Sequence, residues 1–188
     1  MLAVLWNLPN LLTAARIALI PVFILMVYLP GDWGKIMPTL FFGVAALTDW
    51  ADGYVARKDG LQTAFGRFFD PVADKLLVIS ALILLVAEQR AHLLPVLLIT
   101  AREITIMALR EYMSGIGSSL SVSRLGKWKT GFQMTAILML LVQDGLFGLP
   151  LTPVGLLCLY VCMVLTWWSG YDYLTKAWPT IRKSILQV

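Results

Sequence analysis

Residues 68–87 read F-F-D-P-V-A-D-K-L-L-V-I-S-A-L-I-L-L-V-A. From Leu76 onward only Ser80 is polar, and a helix of about this length, at roughly 1.5 Å per residue, crosses the hydrocarbon core of a bilayer. Yet Asp70 and Asp74 sit in the opening turns at i, i+4, a spacing that sets both carboxylates on one helix face. A single charge at that depth costs at least a few kcal/mol, so a pair of them demands a partner.

Working outward, a second pair precedes the first. Residues 49–57 read D-W-A-D-G-Y-V-A-R, with Asp49 and Asp52 at i, i+3, again on one face. Four carboxylates aimed this way ask for a cation. Only oxygen ligands are on offer, with no His or Cys nearby, which favours hard ions such as Mg2+ or Mn2+ over Zn2+. The competing explanation is a helix-end salt-bridge cluster with Arg57, Arg67 and Lys75.

The rest of the chain sets these pairs in a membrane. Of 188 residues 59% are hydrophobic and 14% charged, with mean hydropathy +0.79, leaving too little polar surface to cover a soluble globule. Six stretches approach the spanning length: Leu11 to Leu29, Ile36 to Val55, Phe68 to Ala87, Leu93 to Met113, Trp128 to Phe147 and Leu151 to Tyr171. Pro30-Gly31-Asp32, Asp59-Gly60 and Asp144-Gly145 punctuate them, and Gly115 to Arg124 reads as the longest polar loop. The expectation is an all-α polytopic membrane protein, one domain over residues 1–188, with six transmembrane helices behind a short interfacial segment, Met1 to Pro9.

With the amino terminus inside, Arg57, Lys58, Arg67, Arg124, Lys127, Lys129, Lys176, Arg182 and Lys183 all fall on the cytoplasmic side, against Lys35 and Arg90 outside. Both termini are then cytoplasmic. Trp6, Trp128, Trp167, Trp168, Tyr171, Tyr173 and Trp178 form an aromatic belt at that interface, with Trp33 opposite. No cleavable signal is visible. The net charge of +4 suits anionic headgroups and does not suggest nucleic acid, since the basic residues spread along one membrane boundary. Cys158 and Cys162, in a stretch without charge, read as small apolar residues, and His92 as a helix-start residue on the outer side.

This topology makes the second and third helices a hairpin centred near Leu61 or Gln62, so that Asp49 lies level with Asp74 and Asp52 with Asp70. Counting from Arg57 and Arg67 puts the deeper pair on the order of 10 Å below the cytoplasmic boundary. Asp70, before Pro71, also has the character of a helix N-cap. Gly53, Ala56 and Gly66 supply small surfaces for close packing or for backbone approach to a ligand. In the fourth stretch Arg102, Glu103 and Arg110 fall within an arc of roughly 100° on a helical wheel. Two arginines there need an anion: either Glu103 pairs with Arg110, one heptad away on the same face, or a substrate phosphate is held, with Arg102 the better candidate, joined by Lys127 and Lys129.

The string D-x2-D-G-x2-A-R-x8-G-x3-D-x3-D, filled by Asp49, Asp52, Gly53, Ala56, Arg57, Gly66, Asp70 and Asp74, resembles the signature of the CDP-alcohol phosphatidyltransferases. That resemblance implies two metal ions, Mg2+ with Mn2+ as the alternative, ligated by Asp49, Asp52 and Asp70, with Asp74 near the second metal and acting as the base. It places Gly53, Arg57, Thr63 and Gly66 against the CDP moiety of CDP-diacylglycerol. It also implies a homodimer, and with the orientation above the active site faces the cytoplasm from a bacterial inner membrane.

Two flanking strings, N-L-P-N-L-L-T-A-A-R ending at Arg16 and A-R-E-I-T-I-M-A-L-R-E-Y-M followed by G-K-W-K-T, are similar to the branch of that family whose acceptor is sn-glycerol 3-phosphate. Asn10 and Thr13 then join the nucleotide site, and Arg102, Arg110, Lys127 and Lys129 take the acceptor phosphate. Other acceptors, namely phosphatidylglycerol, an inositol phosphate or serine, keep the same reaction type. A cation transporter is the alternative from another class, though an ion path gives no work to Arg57, Gly66 and the eight-residue spacer.

Overall fold

The computed structural model describes residues 8–59, 64–118, 124–144 and 148–186, with side chains described at 14–48, 71–118, 125–144 and 148–182. Every regular element among them is an α-helix: α1 (Leu8–Val27), α2 (Trp33–Asp59), α3 (Ala64–Ala87), α4 (Leu93–Gly115), α5 (Arg124–Val142) and α6 (Leu151–Leu186). Helix α1 packs on both α2 and α3, α5 lies along α6, and α3 reaches α4 and α5, while α4 leans on α6 and α2 on α5. Buried Phe23, Phe42, Leu82, Leu85, Ile99, Ile137, Leu140 and Leu159 form a continuous core. Within it the Phe23 ring stacks on Phe41 at 5.9 Å between centroids.

The connections follow local chemistry. Between α1 and α2, Gly31 adopts φ +64 and the Asp32 carbonyl accepts from the Lys35 and Ile36 amides. A Cβ on Gly34 would lie 2.5 Å from the Leu29 carbonyl oxygen, so only glycine permits the chain to double back this tightly. After α3, the Arg90 and Ala91 amides both return to the Leu85 carbonyl, and Arg90 Nη1 donates to the Leu141 carbonyl at 3.3 Å. Asp144 Oδ1 accepts from the Thr152 amide at 2.8 Å, satisfying one of the orphan donors at the start of α6.

Four features depart from the sequence reading. Helix α5 ends at Val142 rather than Phe147, because Gln143 turns into the left-handed region at φ +61. Helix α6 runs fifteen residues past Tyr171, through Pro179 to Leu186. Polarity ends its apolar run but not its helicity, and Lys176 pairs with Asp172 at 2.7 Å one turn away. Helix α3 starts at Ala64, so Asp70 and Pro71 lie within it and Asp70 is not its N-cap. Tyr173 is buried rather than part of an aromatic belt, since it shares the inward face of α6 with Thr166, Ser169 and Ala177. His92 stands at the N-cap position of α4 without a side-chain cap, its Nδ1 2.9 Å from the Tyr160 hydroxyl.

Among the described residues one helical segment, Leu151–Arg182, is long and apolar enough to cross a membrane on length and composition alone. The amino-terminal segment 1–7 and residues 60–63, Thr63 among them, lie outside the described residues, so the expected interfacial segment and the expected α2–α3 hairpin turn fall there.

Candidate active site

Helices α2 and α3 carry the acidic motif at matching distances from their connection. Asp49 precedes the end of α2 at Asp59 by ten residues, and Asp74 follows the start of α3 at Ala64 by ten. Asp52 and Asp70 lie seven and six residues from the same two ends. The side chains of Asp49, Asp52, Arg57 and Asp70, like those of Asn10 and Thr13, lie outside the described residues, as do the immediate surroundings of Gly53 and Gly66. Asp74 is described: it is half-buried, and its Oδ2 lies 3.6 Å from Lys75 Nζ. Among the described residues no group of three or more His, Cys, Asp or Glu stands together.

Lys75 leads into a cavity of about 550 Å³ bounded by α3, α4, α5 and α6. Its lining includes Lys75, Arg102, Glu103, Arg110, Lys129 and Tyr173. Glu103 is the hub. Its Oε2 takes Lys75 Nζ at 3.1 Å, and its Oε1 takes Arg102 Nη1 at 3.3 Å and also the ammonium of Lys129. Both Glu103 and Lys129 are buried to within a few per cent of completely. Buried charges of this kind persist only when paired and hydrogen-bonded.

Helix α6 positions the arginine. Arg102 Nη2 donates to Ser169 Oγ at 2.7 Å, and Ser169 Oγ donates to the Thr166 carbonyl at 3.1 Å. Gly170 leaves the channel through which Arg102 passes, since a Cβ there would stand 3.2 Å from Arg102 Nε. The guanidinium carbons of Arg102 and Arg110 each lie 5.8 Å from the Tyr173 ring centroid, within cation–π range.

Of the sequence-predicted acceptor residues, the structure thus brings Arg102, Arg110 and Lys129 to one cavity. Lys127 is exposed and does not line it. Sequence reasoning missed Glu103 as the shared anion of three cations and missed Lys75, Ser169 and Tyr173 altogether as site residues. A signal existed for α6: Thr166, Ser169, Gly170, Tyr173 and Ala177 fall on one helical face as a stripe of small and polar groups in apolar sequence. A second, apolar groove of about 460 Å³ runs between α1 and α2, from Arg16 and Thr48 at one end to Met26 and Met37 at the other, with Leu77 of α3.

A bundle of six apolar helices, paired aspartates at the facing sequence ends of α2 and α3 and a cavity lined by Lys75, Arg102, Arg110 and Lys129 are the features of a membrane enzyme that handles phosphorylated substrates. The chain belongs to the CDP-alcohol phosphatidyltransferase family, which it matches over residues 6–168. It is 41% identical to the CDP-diacylglycerol–glycerol-3-phosphate 3-phosphatidyltransferase of Bacillus subtilis (strain 168), across 95% of this chain and 99% of that protein. It is 43% identical to the protein of the same name from Pseudomonas fluorescens, across 94% and 92%, and 44% identical to that of Escherichia coli (strain K12), across 92% and 95%. Members of the family use divalent metal ions.

Proposed function

We infer that this bacterial membrane protein transfers the phosphatidyl group of CDP-diacylglycerol to sn-glycerol 3-phosphate, giving phosphatidylglycerophosphate and CMP. The observation that carries the acceptor is the cationic cavity that begins one residue from Asp74, with Lys75 within 3.6 Å of Asp74 and 3.1 Å of Glu103. A serine acceptor brings one carboxylate offset by its own ammonium, whereas a phosphomonoester brings roughly 1.5 to 2 uncompensated negative charges to these buried cations.

A hydroxyl of glycerol 3-phosphate attacks the phosphorus that bears the diacylglycerol. The bond from that phosphorus to the CMP oxygen breaks, CMP leaves with the electron pair, and the hydroxyl proton passes to the Asp74 carboxylate. Among the described residues no Ser or Cys nucleophile is hydrogen-bonded to a base, in keeping with direct displacement. Asp49, Asp52, Asp70 and Asp74 are the residues that would hold two Mg2+ ions. Their all-oxygen donor set, at matching sequence distances from the ends of α2 and α3, fits hard divalent cations. Such ions, when bound, neutralise pyrophosphate charge. Gly53, Arg57, Thr63 and Gly66, with Asn10 and Thr13, are assigned to the CDP moiety. Arg102, Arg110 and Lys129 are assigned to the acceptor phosphate, and the groove beside Arg16 suits an acyl chain.

The chain is read as spanning the bacterial inner membrane six times with both termini and the active site cytoplasmic, and as a homodimer. Each helix exposes large apolar side chains to its surroundings, among them Leu25, Leu47, Ile83, Leu97, Trp128 and Leu157, which a soluble monomer avoids. The test is CMP release by purified protein given CDP-diacylglycerol with glycerol 3-phosphate, serine or inositol phosphate. Release is expected with glycerol 3-phosphate, lost in excess EDTA and restored by Mg2+. Turnover with serine alone, or undiminished turnover in EDTA, would sink the reading.

A further inference from the structure

Three cations, Lys75, Arg102 and Lys129, surround the single buried carboxylate of Glu103. With Arg110 and Glu111 of the same lining cancelling one another, they leave an excess of two positive charges in an apolar setting, where uncompensated charge is costly. Asp74, at 3.6 Å from Lys75, offsets one of these only while nothing else holds it. A phosphomonoester carries roughly 1.5 to 2 negative charges at neutral pH, which matches the excess. Arg102 is already committed to Ser169 and Glu103, and Lys129 is almost fully buried against Glu103. Lys75 is different: about a quarter of its side chain remains accessible, and it lines the cavity from α3 rather than from α4 or α5.

We propose that Lys75 is a direct ligand of the acceptor's phosphate, an assignment that rests on the acceptor reading above and extends it to a third helix. Glu103 holds the ammonium in place from α4. Because Lys75 follows Asp74 in the chain and touches its carboxylate, a phosphate docked on Lys75 brings the acceptor's hydroxyls to the proposed base. Lys75 thereby joins the acceptor site to the acidic motif.

The experiment uses purified full-length wild type, Lys75→Met and Lys75→Gln, with steady-state kinetics in both substrates and inorganic phosphate as inhibitor. Gln can still donate to Glu103, so it serves where Met perturbs the fold. Loss of one hydrogen bond to a charged group predicts that the KM for glycerol 3-phosphate and the Ki for phosphate both rise about tenfold or more, while the KM for CDP-diacylglycerol stays within about twofold. A fall in kcat with both KM values unchanged would make Lys75 a partner of Asp74 alone and overturn the proposal. A rise confined to the CDP-diacylglycerol KM also overturns it, as does loss of a cooperative melting transition in both variants, which would make Lys75 a structural counter-ion. If wild type ignores glycerol 3-phosphate but uses a phosphate-free acceptor, the function proposed above fails. If wild type uses glycerol 3-phosphate and the variants keep its KM, only the role of Lys75 fails.

Discussion

Glu103 makes one carboxylate serve three cations from three helices, Lys75 on α3, Arg102 beside it on α4 and Lys129 on α5. Removing one partner of such a buried cluster leaves the others unpaired, at a cost of several kcal/mol, so substitutions here mix folding with function. Asp74 is the cleaner probe, being half-buried with a single described ion-pair partner. Asp74→Asn is expected to lower kcat about 100-fold or more, the range of general-base catalysis, while CDP-diacylglycerol still binds at wild-type concentrations in an equilibrium assay. Preserved kcat with lost CDP-diacylglycerol affinity would make Asp74 a ligand and move the base elsewhere. The aspartate pairs were legible because i, i+3 and i, i+4 spacing is a property of the string itself. The Glu103 hub was not, because its partners lie 28 positions before it and 26 after it in sequence, and only helix packing brings them together.

Helices were legible where long apolar runs meet Gly and Pro punctuation, which is why α1 to α4 start and stop within a few residues of the reading, apart from the longer ends of α2 and α3 on either side of the segment that joins them. The end of α6 was not, because an apolar run measures membrane depth and not helix length. Its inward face was misjudged at Tyr173 for a related reason: composition places aromatic residues at an interface, but rotation about the axis decides which ones face lipid. The α5–α6 contact depends on Gly155, where a Cβ would meet Leu140 Cγ at 3.0 Å and Met139 Cβ at 3.1 Å. Close approach through a small residue of this kind is the usual means of packing helices in lipid. Gly155→Val is therefore expected to destabilise the fold by about 1–3 kcal/mol, the cost of overpacking. It should read as a lower melting temperature in detergent with both KM values unchanged. An unaltered melting temperature would show that α5 and α6 are not held by this contact.

At the scale of the whole molecule, orientation decides whether the site and its charges are consistent. Aromatic side chains stand exposed toward both ends, Trp33 at one and Trp167, Trp168, Tyr171 and Trp178 at the other, as interfacial belts require. The second end is also the basic end, where Lys176 and Arg182 lie on α6 and Lys127 on α5, whereas Lys35 and Arg90 stand at the first. Since basic residues favour the cytoplasmic face, the proposed orientation carries the carboxyl-terminal end of α6 inward, with the cavity around Glu103, lined by Lys129 and Tyr173, toward that end. The prediction uses a protein with Cys158 and Cys162 replaced by Ala and a single new cysteine, Asp32→Cys or Lys176→Cys, both at exposed side chains. A membrane-impermeant maleimide added to intact cells should label the first and spare the second until the cells are opened. The reverse pattern would turn the molecule over and put the acidic motif at the outer face. Labelling of both in intact cells would mean mixed orientation, and the bias of basic residues toward one end would then have failed to set the topology.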